Sequence, residues 1–220
     1  MKLTYEMIKR SPAVQTYIRK ADETLTAMGF TEHSFAHVTR VAEVAGNLLE
    51  ELGYSKEDVE LARIAGYLHD IGNVVNRIDH AQSGAVMAFR LLDNMGGEPE
   101  EISTIITAIG NHDEVTAFPV NPIAAALIIA DKSDVRYTRV RKDADISHDI
   151  HDRVNYAVKK SSVYLNEEKT QLFLDLSIDT GICGVMDYFE IFMNRMLLCR
   201  KAAGKLGTEF RLVINGQQML

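Results

Sequence analysis

Apolar residues recur at intervals of three and four through the first two-thirds of the chain, which predicts a succession of amphipathic helices. Ser11–Pro12 supplies a capping hydroxyl followed by a proline whose missing N–H costs nothing at a first helical position. Val14, Tyr17, Ile18, Ala21, Leu25 and Met28 then line one face, up to Gly29. A second helix is predicted from about Ser34 to Leu52, with Val38, Val41, Ala42, Ala45, Leu48, Leu49 and Leu52 on its apolar face. Ser55 with Asp58 resembles a capping box opening a third helix that runs to about His69. That helix is apolar nearly all round toward its end, the pattern of a central element. Asp79 is expected to cap a fourth helix, His80 to about Asn94. Pro99 starts a fifth, carrying Ile102, Ile105, Ile106 and Ile109, and Asn121–Pro122 starts a sixth, "IAAALIIADKSDVRYTRV". A shorter helix is expected from about Asp149 to Lys159.

Beyond about residue 160 the period shortens to two. "SSVYLN" and "TQLFLDLSID" read as strands separated by the turn-like "EEK". A long helix follows, roughly Gly181 to Leu206, and then a strand, "EFRLVI", ending at Asn215–Gly216. The chain is therefore expected to be mainly α: a helical core over residues 1–160, with a small C-terminal α+β annex of ββαβ order over residues 161–220.

Composition narrows the function classes. A formal net charge of −7 argues against general nucleic-acid binding and against an anionic membrane surface, because both need a basic face. It leaves room for a small anionic substrate held by local cations. The chain shows no internal repeat, no signal-peptide core at "MKLTYEMIKR", and no run near the roughly 18 apolar residues of a membrane span. Its two cysteines, Cys183 and Cys199, are expected to be reduced, buried thiols on one helix, which suits a cytoplasmic protein.

Ionisable residues interrupt the buried helices. His37 lies on the second, His69 and Asp70 end the third, His80 opens the fourth, His112 sits just past the fifth, and Asp131 is embedded in the sixth. An Asp in a strongly apolar helix is costly unless it is paired or binds a cation. Taken singly, each has an ordinary structural explanation: a hydrogen-bonded core histidine, or an ion pair of Asp131 with Lys132 or Arg136. Together, five elements each deliver metal-ligating groups.

In this order the residues resemble the HD-domain metal-dependent phosphohydrolase superfamily. The resemblance is carried by His37 in "HVTRVAEVA", His69–Asp70 in "GYLHDIGN" and Asp131 in "LIIADKSD". His80 in "IDHAQSGA" and His112 in "IGNHDE" match the two further histidines of members that bind two metals. It covers about residues 30–140. Asn73 stands where some relatives carry a phosphate-contacting lysine, and the Gly-Tyr-Pro signature of the cyclic-dinucleotide branch is missing.

The resemblance implies hydrolysis of a nucleotide or other small phosphoester by a metal-activated water, with Asp70 central to catalysis. It places His37, His69, Asp70 and Asp131 around one metal, and His80, His112 and Asp70 around a second. Four imidazoles and two carboxylates suit one or two divalent transition metals among Mn, Fe, Co, Ni and Zn better than an all-oxygen Mg or Ca shell. Gly72 is expected to turn the backbone away and leave one edge of the site open. Lys132, Arg77 and Arg136 are candidate phosphate-binding cations. His33, four residues before His37, either contacts substrate or caps the second helix. His148 and His151, in the acidic run "DADISHDIHD", are expected to be solvated. Met186, Met193, Met196, Tyr188, Phe189 and Phe192 are read as packing, and the annex as a structural support or homo-oligomer contact. Two alternative functions share the scaffold: a diiron oxygenase and a non-catalytic nucleotide-sensing module.

Overall fold

A computed structural model describes residues 2–141 and 149–219. The element order is α1 (Tyr5–Arg10), α2 (Pro12–Ala27), α3 (Phe35–Glu51), α4 (Lys56–Leu68), α5 (His80–Asn94), α6 (Pro99–Gly110), α7 (Pro122–Ser133), α8 (Ile150–Ala157), β1 (Val158–Leu165), β2 (Gln171–Ile178), α9 (Val185–Lys205), β3 (Glu209–Ile214) and β4 (Gln217–Gln218). A 3-10 turn, Ile71–Val74, joins α4 toward α5. The fold is thus a mainly helical bundle with the expected annex, to which β4 is added.

The caps form largely as the sequence implies. Ser11 Oγ accepts from the Val14 N–H and Asn121 Oδ1 from the Ala124 N–H. Ser55 Oγ accepts from the Asp58 N–H at 3.1 Å and donates to Asp58 Oδ2 at 2.7 Å. Asp79 does not cap α5: it adopts left-handed backbone (φ 56°) and makes no side-chain capping bond. The short helix α1 was not foreseen; its six residues hold too few apolar positions to show a period, and Thr4 caps it.

Helices α3, α4 and α7 pack as a central layer. Gly66 on α4 makes this possible, because a Cβ there would sit 2.7 Å from the Ala42 Cα of α3. Helix α7 is buried from Ile123 through Ala130. It packs against α3 and α4 on one side and against annex helix α9 on the other. In the annex, β1 pairs antiparallel with β2, β2 pairs parallel with β3 through the α9 crossover, and β3 pairs antiparallel with β4. Apolar burial is continuous across both regions, from Ile64 and Leu127 to Leu174, Phe192 and Leu212. β1 begins at Val158, before the expected boundary at residue 160. Cys199 lies within α9, whereas Cys183 precedes it; both thiols are free and buried. No helix among the described residues is long and apolar enough to cross a membrane.

Candidate metal centre

The six histidines and aspartates arrive from separate elements at one buried point. His37 comes from α3, His69 follows the last residue of α4, and Asp70 precedes the 3-10 turn. His80 opens α5, His112 follows α6, and Asp131 lies in the last turn of α7. His37 and His69 are fully buried and His112 is 1% exposed. Three overlapping groups of donor atoms lie within 4.8 Å of one another: His37, His69 and Asp70; His69, His112 and Asp131; Asp70, His80 and His112.

The two oxygens of Asp70 face different partners. Oδ2 lies 3.2 Å from His69 Nε2 and 3.5 Å from His37 Nε2. Oδ1 lies 3.5 Å from His80 Nε2 and 4.0 Å from His112 Nε2. Asp131 Oδ1 completes the first side, 3.5 Å from His37 Nε2 and 3.8 Å from His69 Nε2. Asn73 fixes this orientation, its amide donating to Asp70 Oδ1 at 3.0 Å and to the Asp70 carbonyl at 2.9 Å.

Each imidazole is oriented from behind. The Nδ1 atoms of His69, His80 and His112 meet the carbonyls of Gly66, Arg77 and Ile109 at 2.8, 3.0 and 2.6 Å. Carbonyls only accept, so each Nδ1 carries the proton and each Nε2 presents a lone pair inward. His37 Nδ1 likewise donates, to Asp134 Oδ2 at 2.7 Å, which turns its Nε2 inward. His37 Nε2 and His69 Nε2 are 3.3 Å apart, so with both rings neutral their lone pairs would face each other and the carboxylate oxygens. A cation relieves that repulsion. Donors about 2.1 Å from one ion stand about 3.0–3.5 Å from each other at tetrahedral or octahedral angles, close to the spacing found here. The residues therefore fit a divalent ion.

The electrostatics point the same way. Burial and the Arg139 charge disfavour a charged His37, yet Asp131, Asp134 and Asp70 outweigh them and push it up to about 10. The carboxylates demand positive charge at this spot. Burial above all holds His80 and His112 below the usual imidazole range, keeping both rings neutral. Burial opposes ionisation of Asp131, but the neighbouring Lys132 ammonium, 2.7 Å from Oδ2, helps hold it well below the usual carboxylate range.

Gly72 closes the edge that the sequence suggested it would open. A Cβ there would meet the His80 carbonyl oxygen at 2.0 Å and the Gly84 nitrogen at 2.4 Å, so the absent side chain lets α5 abut the 3-10 turn.

A cavity of about 200 Å3 lies over the cluster. Asp70, His80 and Asp131 reach it, as do His33, Arg77 and Lys132 among the expected substrate contacts. His33 is not the cap of α3, a role taken by Ser34; its ring stands 5.3 Å from that of His37. Arg136 is elsewhere: its Nε donates to Asp134 Oδ1 at 2.8 Å and its stem lines a separate groove with Phe35 and Arg40. His148 lies outside the described residues. His151 is exposed yet borders the cavity, its ring 6.3 Å from that of Phe192.

Several contributors were missed in the sequence. Asp134 is buried behind His37, held by Arg40 Nε at 3.0 Å and Arg136 Nε, while its carbonyl accepts from Arg139 Nη1 at 2.9 Å. Burial opposes its ionisation, but the His37 hydrogen bond and the Arg139 charge hold its carboxyl far below the usual range. Its place three residues after Asp131, one helical turn on, was the available signal. Arg139, Asn155, Phe192 and Arg195 also line the cavity, and no motif marks them.

The HD domain profile matches residues 34–154, just over half of the chain, so the chain belongs to the HD domain family. Ribonuclease Y of Enterococcus faecalis is 39% identical over 79 residues, which cover 34% of this chain and 13% of that protein. The chain thus spans about an eighth of that relative's length. The uncharacterized protein MJ1020 of Methanocaldococcus jannaschii is 22% identical over 211 residues, covering 84% of this chain and 81% of its own. A crystal structure of an HD superfamily hydrolase from an uncultured Thermotogales bacterium is 26% identical, with a TM-score of 0.45 over 60% of this chain and 73% of that one.

Proposed function

We propose that the chain is a metal-dependent phosphohydrolase acting on a small phosphoester, a nucleotide being the leading class. One observation carries the reading: Asp70 divides its two oxygens between a His37/His69 side and a His80/His112 side, at the floor of a cation-lined cavity. In this reading His37, His69, Asp70 and Asp131 hold one ion, while His80, His112 and Asp70 hold a second. Divalent transition ions held there supply a Lewis acid that activates water for attack on phosphorus and neutralises charge on the phosphoryl oxygens.

The chain's own groups do the rest. The fixed Nδ1 contacts keep four Nε2 atoms aimed inward, so little movement of the rings accompanies metal loading. Lys132 stands ready for an anionic oxygen beside Asp131. Arg77 Nη1 donates to Asn73 Oδ1 at 3.3 Å, linking a substrate-facing cation to the residue that orients Asp70. The close packing of α5 on Gly72 holds His80 beside Asp70 Oδ1.

Ribonuclease Y is by name a nuclease, but the size of the cavity and the chain's net charge of −7 favour a small substrate over a long polynucleotide. Asp70→Ala decides the assignment. Purified Asp70→Ala should retain its helical spectrum, lose bound metal, and release no phosphate from a panel of phosphorylated metabolites supplied with Mn, Fe, Co, Ni or Zn. Wild type should release phosphate without taking up oxygen. Full metal content and activity in Asp70→Ala would remove the basis of the reading.

A further inference from the structure

The HD match ends at residue 154, yet one wall of the cavity comes from α9, more than thirty residues further on. Tyr188, Phe192, Met196 and Cys199 follow one another at helical spacing and are buried along one face of α9. Arg195 lies three residues past Phe192, beside that face, and its guanidinium stacks over the Phe192 ring at 4.3 Å. Its Nε donates to Glu114 Oε1, on the connection between α6 and α7. Lys132 Nζ stands 4.0 Å from the same oxygen and 2.7 Å from Asp131 Oδ2. One ammonium and one carboxylate oxygen therefore separate the Arg195 fork from the metal cluster.

The mode of pairing is informative. A guanidinium that serves only to tie two elements together commonly meets its carboxylate with two nitrogens in parallel. Here only Nε is used, and the terminal nitrogens of Arg195 have no hydrogen-bond partner among the described residues, although the side chain is only 23% exposed. Arg139, by contrast, donates through Nε to the Glu32 carbonyl and through Nη1 to the Asp134 carbonyl. Arg195 is thus a clamped, half-buried cation at the wall of a small cavity, with donors that no described residue uses. A tetrahedral anion with oxygens to spare matches those donors.

We infer that Arg195 is a substrate-contacting residue that, with Lys132, binds the phosphate group over the metal cluster, so that the annex completes the active site. This rests on the phosphohydrolase reading for its chemistry, but its test does not depend on turnover. Binding of inorganic phosphate to the Mn-loaded full chain is measured by calorimetry, alongside metal content and thermal unfolding. Arg195→Gln keeps an aliphatic stem on Phe192 and should weaken phosphate by at least about tenfold, the scale of one charge-assisted hydrogen bond, at wild-type metal content. Arg195→Lys should fall between the two. Arg200→Gln, on the same helix but lining a separate groove with Thr170 and Phe210, should bind as wild type does. In p-nitrophenyl phosphate hydrolysis the Arg195 variants should raise KM more than they lower kcat.

Phosphate binding by Arg195→Gln within about twofold of wild type overturns the inference, as does an equal loss in Arg200→Gln or a wild type that binds no phosphate. If Arg195→Gln does not fold, Arg195→Lys is held to the same limit. Arg195-dependent phosphate binding without hydrolysis of any phosphoester would sink the phosphohydrolase reading alone. Hydrolysis with no dependence on Arg195 would sink this inference alone.

Discussion

Asp134→Asn isolates the support of the metal centre from its ligands. The substitution keeps the shape of a side chain with no solvent exposure and removes its charge. Asp134 Oδ2 accepts from His37 Nδ1 at 2.7 Å, while Oδ1 lies 2.8 Å from Arg136 Nε and 3.0 Å from Arg40 Nε. An asparagine offers one acceptor where two are used, and its NH2 must face either the imidazole N–H or the guanidinium donors. Breaking a buried charge pair costs about 3–5 kcal/mol. Arg40 and Arg136 are 37% and 18% exposed and can turn toward water, which places the expected loss near the lower end, about 3 kcal/mol. At about 2–4 °C per kcal/mol for a chain of this size, Tm should fall by about 6–12 °C. The second consequence is chemical. Loss of the carboxylate behind His37 lets the ring rotate and lowers its basicity, and such outer contacts are worth about 10–100-fold in metal affinity. Scanning calorimetry reads the first effect and equilibrium dialysis with Mn the second. A variant that melts within about 2 °C of wild type and binds Mn equally well would refute the claim that Asp134 positions His37.

Gly72→Ala should push α5 off the 3-10 turn, because its Cβ meets backbone atoms at 2.0 and 2.4 Å. Overpacking of this kind costs about 1–3 kcal/mol; the melting point should drop, and the metal-to-protein ratio should fall as His80 moves away while the His37 side keeps its ion. Metal loading itself should stabilise the fold: Mn at a hundredfold its Kd contributes about 2.7 kcal/mol, a rise of about 5–11 °C in Tm by scanning fluorimetry. A chelator should reverse the rise, and Asp70→Ala should show none.

The sequence exposed what local period and composition can carry. His37, His69, Asp70, His80, His112 and Asp131 stood out because each interrupts or terminates an apolar helix, where an ionisable group needs a reason to be present. Their convergence follows from helix packing, and the chain order of the six matched a known pattern. What stayed hidden depended on tertiary contact. Asp134 reads as one more charge in a polar tail until α7 ends and the backbone folds its carboxylate behind His37. Gly72 was misjudged because a glycine after His-Asp signals a change of direction, whereas its use here is close approach to a helix eight residues later. Arg195 reaches Glu114 across 81 positions, and no spacing rule links the two.

These hidden contacts share a feature that bears on how the chain is divided. A cut after residue 160 would run through β1 and separate α7 from α9, although the two helices pack together and the cavity takes its lining from both sides of the cut. Lys132 on α7 and Arg195 on α9 meet at a single Glu114 oxygen. The carboxylate keeps two cations close where they would otherwise repel each other, and the terminal Arg195 donors have no hydrogen-bond partner among the described residues. An HD bundle ending near residue 154 would keep its six inward-facing donors and lose that arrangement. Metal binding and substrate selection are therefore expected to draw on different parts of the chain, the first on α3 to α7, the second also on α9.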